Sequence, residues 1–402
     1  MSVSSKQWPA LVAAVALVRP ARGFALWQLG FRPFYLLASI FAALSIPLWA
    51  LQFSGLLQQA YLAGPIWHAH EMVFGFTLAV IVGFLFTAGR NWTGHATPTG
   101  ASLAALAALW IVARVLVVTP FAWAAAVANV AFPLAAAIAL AIPLVKARNR
   151  RNYFFVGLLV LLSLAAAGVH LSQLGVLDAP PWAGVQLALD LVLFITGVMA
   201  GRVIPAFTNN GVPGARAARR PLVERFALGS ILLLLAADAA HLHGVVVAVI
   251  AGCAAVFHTT RWLLWQPWKT RKVPLVWVLH LAYAWIPVHL ALRALSEFDV
   301  VPASAAMHAL TVGAIGGLVI GMMTRTARGH TARPLRADRA EVTCYLFVAL
   351  AAVVRVGGLL VLPAQTIGAV LLSGALWSCG FALYAMRYWP ILTRPRLDGR
   401  PG

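Results

Sequence analysis

The sequence predicts an all-α, polytopic membrane protein with about twelve transmembrane helices. Of its 402 residues, 62% are hydrophobic and only 10% are charged, and the mean hydropathy is +0.88. The apolar residues form repeated runs of about 20, which is the length a helix needs to cross the hydrocarbon core of a bilayer. This composition is foreign to soluble domains, so the expected partner of most of the surface is a lipid bilayer.

Twelve apolar segments follow one another with short connections between them. We place them near residues 33–53, 66–89, 100–118, 122–145, 153–174, 183–203, 226–242, 244–266, 273–295, 303–324, 340–362 and 364–388. Together they predict a single twelve-helix transmembrane domain over residues 31–390.

The two ends of the chain are predicted to lie outside this domain. Residues 1–30 form an N-terminal leader and residues 391–402 a C-terminal tail. Within the leader, Trp8–Val18 is apolar but too short to cross a membrane, and no cleavage-site pattern follows it. We expect this stretch to be interfacial or disordered.

The basic residues are confined to one side of the predicted bundle. All of the 30 Lys and Arg residues except Arg114, Arg293 and Arg355 fall on the N-terminal, C-terminal and alternate-loop side. The opposite loops are short and hold Asp178 and Glu297. The positive-inside rule therefore predicts that both termini are cytoplasmic. The same distribution explains the net charge of +20 without a nucleic acid partner.

The second, sixth and tenth predicted spans end in similar segments. These segments are Phe86–Arg90, Val198–Arg202 and Gly321–Arg325, and their arginines are separated by 112 (202 − 90) and 123 (325 − 202) residues. Such spacing predicts a threefold pseudo-repeat of four helices. The alternatives are two related halves of six helices, as in many transporters, and arginines that simply mark helix ends.

Seven of the eleven histidines fall near the outer ends of predicted spans. They are His68, His70, His170, His241, His243, His289 and His308. Lipid offers an imidazole no partner, and imidazole is the commonest protein ligand of metals. The three cysteines lie apart, which disfavours an iron–sulfur centre and leaves haem iron and copper as the expected metals. The alternative is a set of hydrogen-bonded structural histidines.

Helix geometry limits which of these histidines can act together. His68 and His70 point about 200° apart on a regular helix, so they are not expected to bind one metal. His258 and His280 lie closer to the cytoplasmic side and are excluded from the outer layer.

Charged residues inside the predicted spans also need partners. Arg114 and Arg355 lie in spans three and eleven, while Glu71, Asp190 and Asp238 are carboxylates at similar depth. One interpretation is ordinary Arg–carboxylate pairing between helices. The other is that Arg114 and Arg355 neutralise an anionic cofactor, such as the propionates of a haem.

Five segments resemble the NnrS family. They are Gly30–Phe34, Trp67–Gly75, Gly89–Gly94, Gly201–Gly211 and His308–Gly313, and the stretch Met322–Thr331 continues the match. Ala332 departs from the glycine expected there. The resemblance implies a haem- and copper-containing protein of the bacterial inner membrane, linked to nitric oxide, nitrosative stress and denitrification, whose reaction is not settled.

The twelve spans are also similar in plan to the catalytic subunit of haem-copper oxidases, which has threefold pseudo-symmetry. By this analogy His70 on span two and His308 on span ten form an axial pair for a b-type haem. The remaining outer histidines form a pool of copper ligands, namely His68, His170, His241, His243 and His289. Span six has Asp190 instead of a histidine, which argues against a matching binuclear centre.

Three functions follow as hypotheses. The first is a haem and copper protein that acts in nitric oxide tolerance by binding, redox chemistry or protection of iron. The second is a transporter of a metal, haem or iron-nitrosyl species, which the intramembrane charges allow. The third is a structural or assembly partner of a respiratory-chain complex.

Overall fold

The described part of the chain contains twelve long helices, and they correspond one to one with the predicted spans. The computed structural model describes residues 23–57, 61–62 and 64–400, and over these residues it contains helices, turns and loops but no strand. The helices are α1 (Phe31–Phe53), α2 (Gly64–Thr93), α3 (Gly100–Leu116), α4 (Ala122–Lys146), α5 (Phe154–Gln173), α6 (Pro181–Gly211), α7 (Pro221–Ala239), α8 (Val245–Leu264), α9 (Pro274–Ser296), α10 (Ala303–His330), α11 (Arg339–Val361) and α12 (Thr366–Thr393). The predicted leader segment Trp8–Val18 lies outside the described residues.

Ten of these helices are long and apolar enough to cross a membrane. The other two are α3, which has 17 residues, and α7, whose 19 residues include Glu224, Arg225 and Asp238. Apolar side chains such as Leu232, Val249 and Ile367 are exposed on the outer surface of the bundle. In water such a surface would be unstable, and in lipid it needs no cover. The predicted class of polytopic helical membrane protein is confirmed.

Several helices are longer than their apolar runs predict. Helix α6 continues to Gly211 and α10 to His330, whereas the predicted spans end at residues 203 and 324. The hydroxyls of Thr208 and Thr331 donate to the carbonyls of Ile204 and Ala327, four residues earlier. Polar residues therefore extend the helices out of the apolar layer, since their side chains can bond to the helix backbone.

Helices that are consecutive in the chain pack against each other. Helices α4 and α5 pack together, as do α8 and α9, and the same relation joins α12 to α1 and closes the bundle into a ring. A second set of equivalent pairs is α3 with α4, α7 with α8, and α11 with α12. These contacts do not distinguish a four-helix repeat from other arrangements, so the repeat stays a prediction. Helix α2, at 83%, has the largest buried share among the candidate spans, and α12 has the smallest at 22%.

Helices α2 and α10 share a local distortion. Each widens into a π-helical segment, Glu71–Thr77 in α2 and Ala309–Gly316 in α10. Each segment begins directly after a histidine of the outer layer, His70 or His308. In α2 the Thr77 hydroxyl donates to the carbonyl of Met72, five residues earlier. Wide turns of this kind are rare and occur frequently at functional sites, so both histidines lie at unusual positions.

The contact between α5 and α6 depends on one glycine. A Cβ atom at Gly184 would lie 2.7 Å from the carbonyl oxygen of Ala165 and 2.8 Å from the amide nitrogen of Val169. Both are backbone atoms, so the helices would have to separate. We predict that Gly184→Ala destabilises the protein by about 1–3 kcal/mol, measured as a lower thermal-unfolding midpoint in detergent.

Gly252 on α8 provides the matched control, because a Cβ atom there meets nothing within 4 Å. Gly252→Ala should leave the midpoint unchanged or raise it, since alanine is about 1 kcal/mol more favourable than glycine inside a helix. Equal midpoints for the Gly184 and Gly252 variants would contradict the proposed close contact.

Candidate functional site

Two clusters of histidines, one buried and one half-buried, lie on the side of the bundle opposite the basic loops. We call the side that carries Arg90, Arg202 and Arg325 the basic face, and the other side the opposite face. Helices α2 and α10 begin at the opposite face, and this places His70 and His308 within their first two turns. The imidazoles therefore lie at the depth that the sequence predicts.

The first cluster, here called the His70 cluster, consists of Tyr61, His70, Glu71, Arg114, Asn129 and His170. The rings of His70 and His170 are perpendicular, with centroids 4.8 Å apart, and both residues are fully buried. Nδ1 of His70 donates to Oε1 of Glu71 at 2.8 Å. Nδ1 of His170 is hydrogen-bonded to the Tyr61 hydroxyl at 2.9 Å. Both Nε2 atoms are buried, and neither has a partner among the described residues.

Glu71 joins this histidine pair to a buried cation. The Arg114 guanidinium donates to Oε1 of Glu71 at 2.5 Å and to the side-chain oxygen of Asn129. Gly75, in the π-helical segment, allows the close approach, because a Cβ atom there would lie 2.9 Å from the NH1 atom of Arg114. Arg114 thus forms the predicted pair with a carboxylate, which offsets the cost of burying both charges.

The second cluster, here called the His308 cluster, consists of Trp49, His68, Ser304, His308 and Arg355. Nδ1 of His308 donates to the carbonyl of Ser304 at 2.7 Å. The His68 ring packs on Trp49 with centroids 4.7 Å apart. Arg355 lies close enough for its charge to act on both imidazoles. Its buried NH1 atom has no partner, and no carboxylate in the described part of the chain pairs with it.

The structure therefore divides the predicted histidines differently from the sequence. His70 contacts His170, whereas His308 is grouped with His68, so the two residues predicted as one axial pair belong to separate clusters. The prediction that His68 and His70 do not share a metal agrees with this division. The two residues are two positions apart on α2, so their side chains point in different directions and contact different neighbours.

The other predicted metal ligands do not join either cluster. His289 is buried alone, and its Nδ1 donates to the carbonyl of Ala306 at 2.8 Å. His241 and His243 are exposed in the turn between α7 and α8, and His241 has a positive φ of 55°. Sequence position alone assigns these two residues to the outer histidine layer, and in the structure they lie exposed at the edge of that layer.

A third polar group at this depth contains the remaining intramembrane carboxylates. Arg293 donates to Oδ1 of Asp238 at 2.6 Å and to Oε1 of Glu297 at 3.2 Å. Gln186 holds Asp190 beside this pair at 3.0 Å. The predicted Arg–carboxylate pairing thus accounts for Asp238, whereas Asp190 is held by the amide of Gln186.

The donor geometry indicates which metals the clusters could hold. Within the described residues no group of three or more His, Cys, Asp or Glu side chains could hold one ion, so the sites offer one or two imidazoles each. In His70 and His308 the proton is fixed on Nδ1 by an oxygen acceptor, which leaves the lone pair on Nε2 for a ligand. Metal-binding histidines are oriented in the same way in metalloproteins.

The distance between the His70 and His170 rings distinguishes a haem held between them from a single metal ion bound by both. Two imidazoles on opposite sides of one iron have centroids roughly 6 Å apart, since each metal–nitrogen bond is about 2 Å long. The 4.8 Å between His70 and His170 is too short for a porphyrin to lie between them. It suits two nitrogens that approach one ion at an angle.

Sequence reasoning missed Tyr61 and Asn129. Asn129 carried a usable signal, because it is the one amide within the apolar run of α4 and lies one helix away from Arg114. Tyr61 carried none, since it lies in the connection between α1 and α2, and only the folded chain brings it to His170.

Comparison with known proteins gives one family. The search of curated proteins finds no match, whereas the family model for NnrS protein matches residues 25–396. The match includes both histidine clusters and nearly the whole described bundle. The chain therefore belongs to the NnrS family.

Proposed function

We propose that this protein binds haem and copper in the bacterial inner membrane and acts in the response to nitric oxide. The observation that carries the proposal is the pair of buried imidazoles, His70 and His170, whose Nδ1 is hydrogen-bonded and whose Nε2 has no partner among the described residues. An unpaired buried nitrogen costs free energy, and a metal ligand bond would satisfy it. Membership of the NnrS family supports the same assignment.

Haem fits the His308 cluster better than the His70 cluster. His308 offers an oriented Nε2, and Arg355 offers a buried cationic N–H group without a carboxylate partner. An arginine in this condition is suited to a propionate group. When bound, the haem iron would supply a coordination position for nitric oxide, while His308 and Arg355 fix the orientation of the ring.

Copper fits the His70 cluster. The two imidazoles lie at right angles, and Glu71 makes His70 more basic by accepting its Nδ1 proton. Arg114 neutralises Glu71, so the carboxylate can remain buried. This assignment separates His70 from His308, which the oxidase analogy had paired.

Small apolar spaces between α2, α6 and α10 support an uncharged ligand. A cavity of about 100 Å³ is lined by residues such as Val80, Ile195, Met199 and Leu318. A smaller space of about 20 Å³ lies between Phe76 and Thr311, one to two turns from the histidines. Both spaces are lined mainly by apolar side chains, so they favour an uncharged ligand such as nitric oxide over a charged iron-nitrosyl cargo.

Replacing single histidines should separate the two metals. We predict that His308→Ala lowers haem content at least severalfold and that His70→Ala or His170→Ala lowers copper content. The reason is that each variant removes an Nε2 donor from one cluster only. Haem would be measured from the dithionite-reduced absorption spectrum of detergent-purified protein, and copper by elemental analysis of the same samples.

His258 is the matched control, because it is also buried but both of its ring nitrogens are already bonded, to Tyr283 and to the carbonyl of Ala227. His258→Gln should retain both metals. Wild-type protein without haem and copper after expression with both supplied would reject the proposal. Equal metal contents in all variants would reject the assignment of ligands.

The cavity predicts a kinetic effect on nitric oxide. Ala200→Leu adds side-chain volume to the cavity lining, so we expect nitric oxide to bind several times more slowly, with haem content unchanged. Stopped-flow absorption of the reduced protein measures this rate. Ala124→Leu, on the exposed side of α4, is the control and should bind nitric oxide at the wild-type rate.

Orientation in the membrane is the last part of the proposal. The arginines of the basic face predict that this face is cytoplasmic. A green fluorescent protein fused after residue 402 should therefore fluoresce, because it folds in the cytoplasm, whereas alkaline phosphatase fused there should be inactive. The reverse result would place the basic face outside.

A further inference from the structure

Three of the family-like segments meet at the basic face, far from the histidine clusters. Arg32 lies at the start of α1, Arg90 near the end of α2, and His330 at the end of α10. The Phe31 and His330 rings are in contact, with centroids 5.6 Å apart. Arg396, in the segment after α12, donates to the carbonyl of His330 at 3.0 Å. None of these residues has a role in the function proposed above.

Arg32 is completely buried, yet only half of its guanidinium is bonded. NH1 donates to the carbonyls of Leu392 and Arg394, at 2.9 and 2.8 Å. These bonds hold the group against the end of α12. Nε and NH2 are also buried, and neither has a partner in the part of the chain that the structure describes. These two N–H groups form the edge with which arginine grips a pair of oxygen atoms.

Other buried arginines show how this protein fills that edge. Arg261 uses Nε and NH2 to hold both oxygens of Glu224, at 2.9 and 2.7 Å. Arg328 uses the same two atoms for Glu341 and Asp338. Arg293, at the opposite face, does the same with two carboxylates. Within the described residues, Arg32 is the one arginine whose Nε and NH2 are both buried and unfilled.

No carboxylate of the chain is available to Arg32. The sequence has ten acidic residues, and all ten lie within the described ranges. All ten are engaged with other groups or lie at the opposite face, and they are Glu71, Asp178, Asp190, Glu224, Asp238, Glu297, Asp299, Asp338, Glu341 and Asp398. On the basic face, Glu224 binds Arg261, Asp338 and Glu341 bind Arg328, and Asp398 binds Arg396.

The surroundings of Arg32 are strongly cationic. The charges of Arg333 and Arg396 act directly on Arg32, and those of Arg32 and Arg90 act on His330. The NH1 atom of Arg333 is buried without a partner as well. Burial, together with the nearby charge of Arg328, lowers the pKa of Arg333. Like charges held together in this way repel one another unless an anion lies between them.

We propose that Arg32, Arg333 and His330 form a binding site for a phosphate group at the basic face. The edge of Arg32 provides two parallel N–H donors, and Arg333 provides a second charge, which suits a phosphate with several charged oxygens. Arg90 and Arg396 add positive charge at the rim. The phosphate comes either from the headgroup of an anionic lipid or from a soluble compound, since the site lies where the membrane surface meets water.

Thermal unfolding of the purified full-length protein in a neutral detergent tests the proposal. The first probe is inorganic phosphate, compared with chloride at equal ionic strength. The second is phosphatidylglycerol in mixed micelles, compared with phosphatidylcholine. We expect at least one anionic probe to raise the unfolding midpoint by roughly 3 °C, because a ligand that binds only the folded state stabilises it.

The two probes identify the source of the phosphate. Stabilisation by inorganic phosphate indicates a soluble ligand. Stabilisation by phosphatidylglycerol alone, with the lipid retained in native mass spectra, indicates a headgroup. No stabilisation by either probe overturns the proposal.

Two variants show whether any stabilisation arises at this site. Arg333→Gln removes one cation from a partly exposed loop and should weaken binding about tenfold, which abolishes most of the shift. Arg336→Gln, on an exposed position of the same loop, removes an equal charge and should keep the full shift. Equal shifts in the two variants overturn the proposal. Arg32→Lys, which keeps the charge and loses the paired donors, should also lose the shift where it folds.

Discussion

The bundle depends on ion pairs that hold buried guanidinium groups against glutamates of neighbouring helices. The chain has 30 basic and 10 acidic residues, so most cations stay at the basic face, and the few carboxylates go to the buried ones. Arg114, Arg261 and Arg328 each bind a glutamate of an adjacent helix, one in each predicted four-helix unit. Each pair also engages a third helix, through Asn129, Gly197 or Tyr388. Removing one partner of a buried ion pair lowers the free energy of unfolding by about 3–5 kcal/mol. These ion pairs therefore fix helix positions that apolar packing alone does not determine.

The ion pair between Arg114 and Glu71 also orients the histidines. Glu71 binds Arg114 on one side and His70 on the other, so the ion pair determines which imidazole nitrogen carries the proton. The π-helical segments then rotate the rest of α2 and α10 relative to His70 and His308. Helix phase alone would have carried Phe76 and Thr311 to other neighbours. In the His70 cluster the Nε2 atoms of His70 and His170 stay buried without a partner among the described residues, at a free-energy cost that ligand binding would offset.

The sequence predicts the number of helices, their sidedness and the depth of the histidines, because these follow from hydropathy and charge along one dimension. It fails at helix ends such as Gly211 and His330, where hydropathy stops but hydrogen bonding continues. The sequence also does not predict which histidines lie close together. The contact of His70 with His170 requires knowledge of which helices are neighbours, and Tyr61 reaches the pair from a connection. The depth of a histidine depends on its position in one helix, whereas the grouping of site residues depends on how several helices pack together.

The placement of the two kinds of site follows from the chemistry of their side chains. A neutral imidazole can be buried at moderate cost, and it binds a metal only in that neutral form, so a histidine site can lie within the apolar layer. A guanidinium keeps its charge at any depth, so an arginine without a carboxylate partner needs an anion from outside the chain, which we propose to be a propionate for Arg355 and a phosphate group for Arg32. Helices α2 and α10 carry one residue type at each end, His70 and Arg90 in α2 and His308 and Arg328 in α10. Under the two proposals, the opposite face binds metals and the basic face binds a phosphate group.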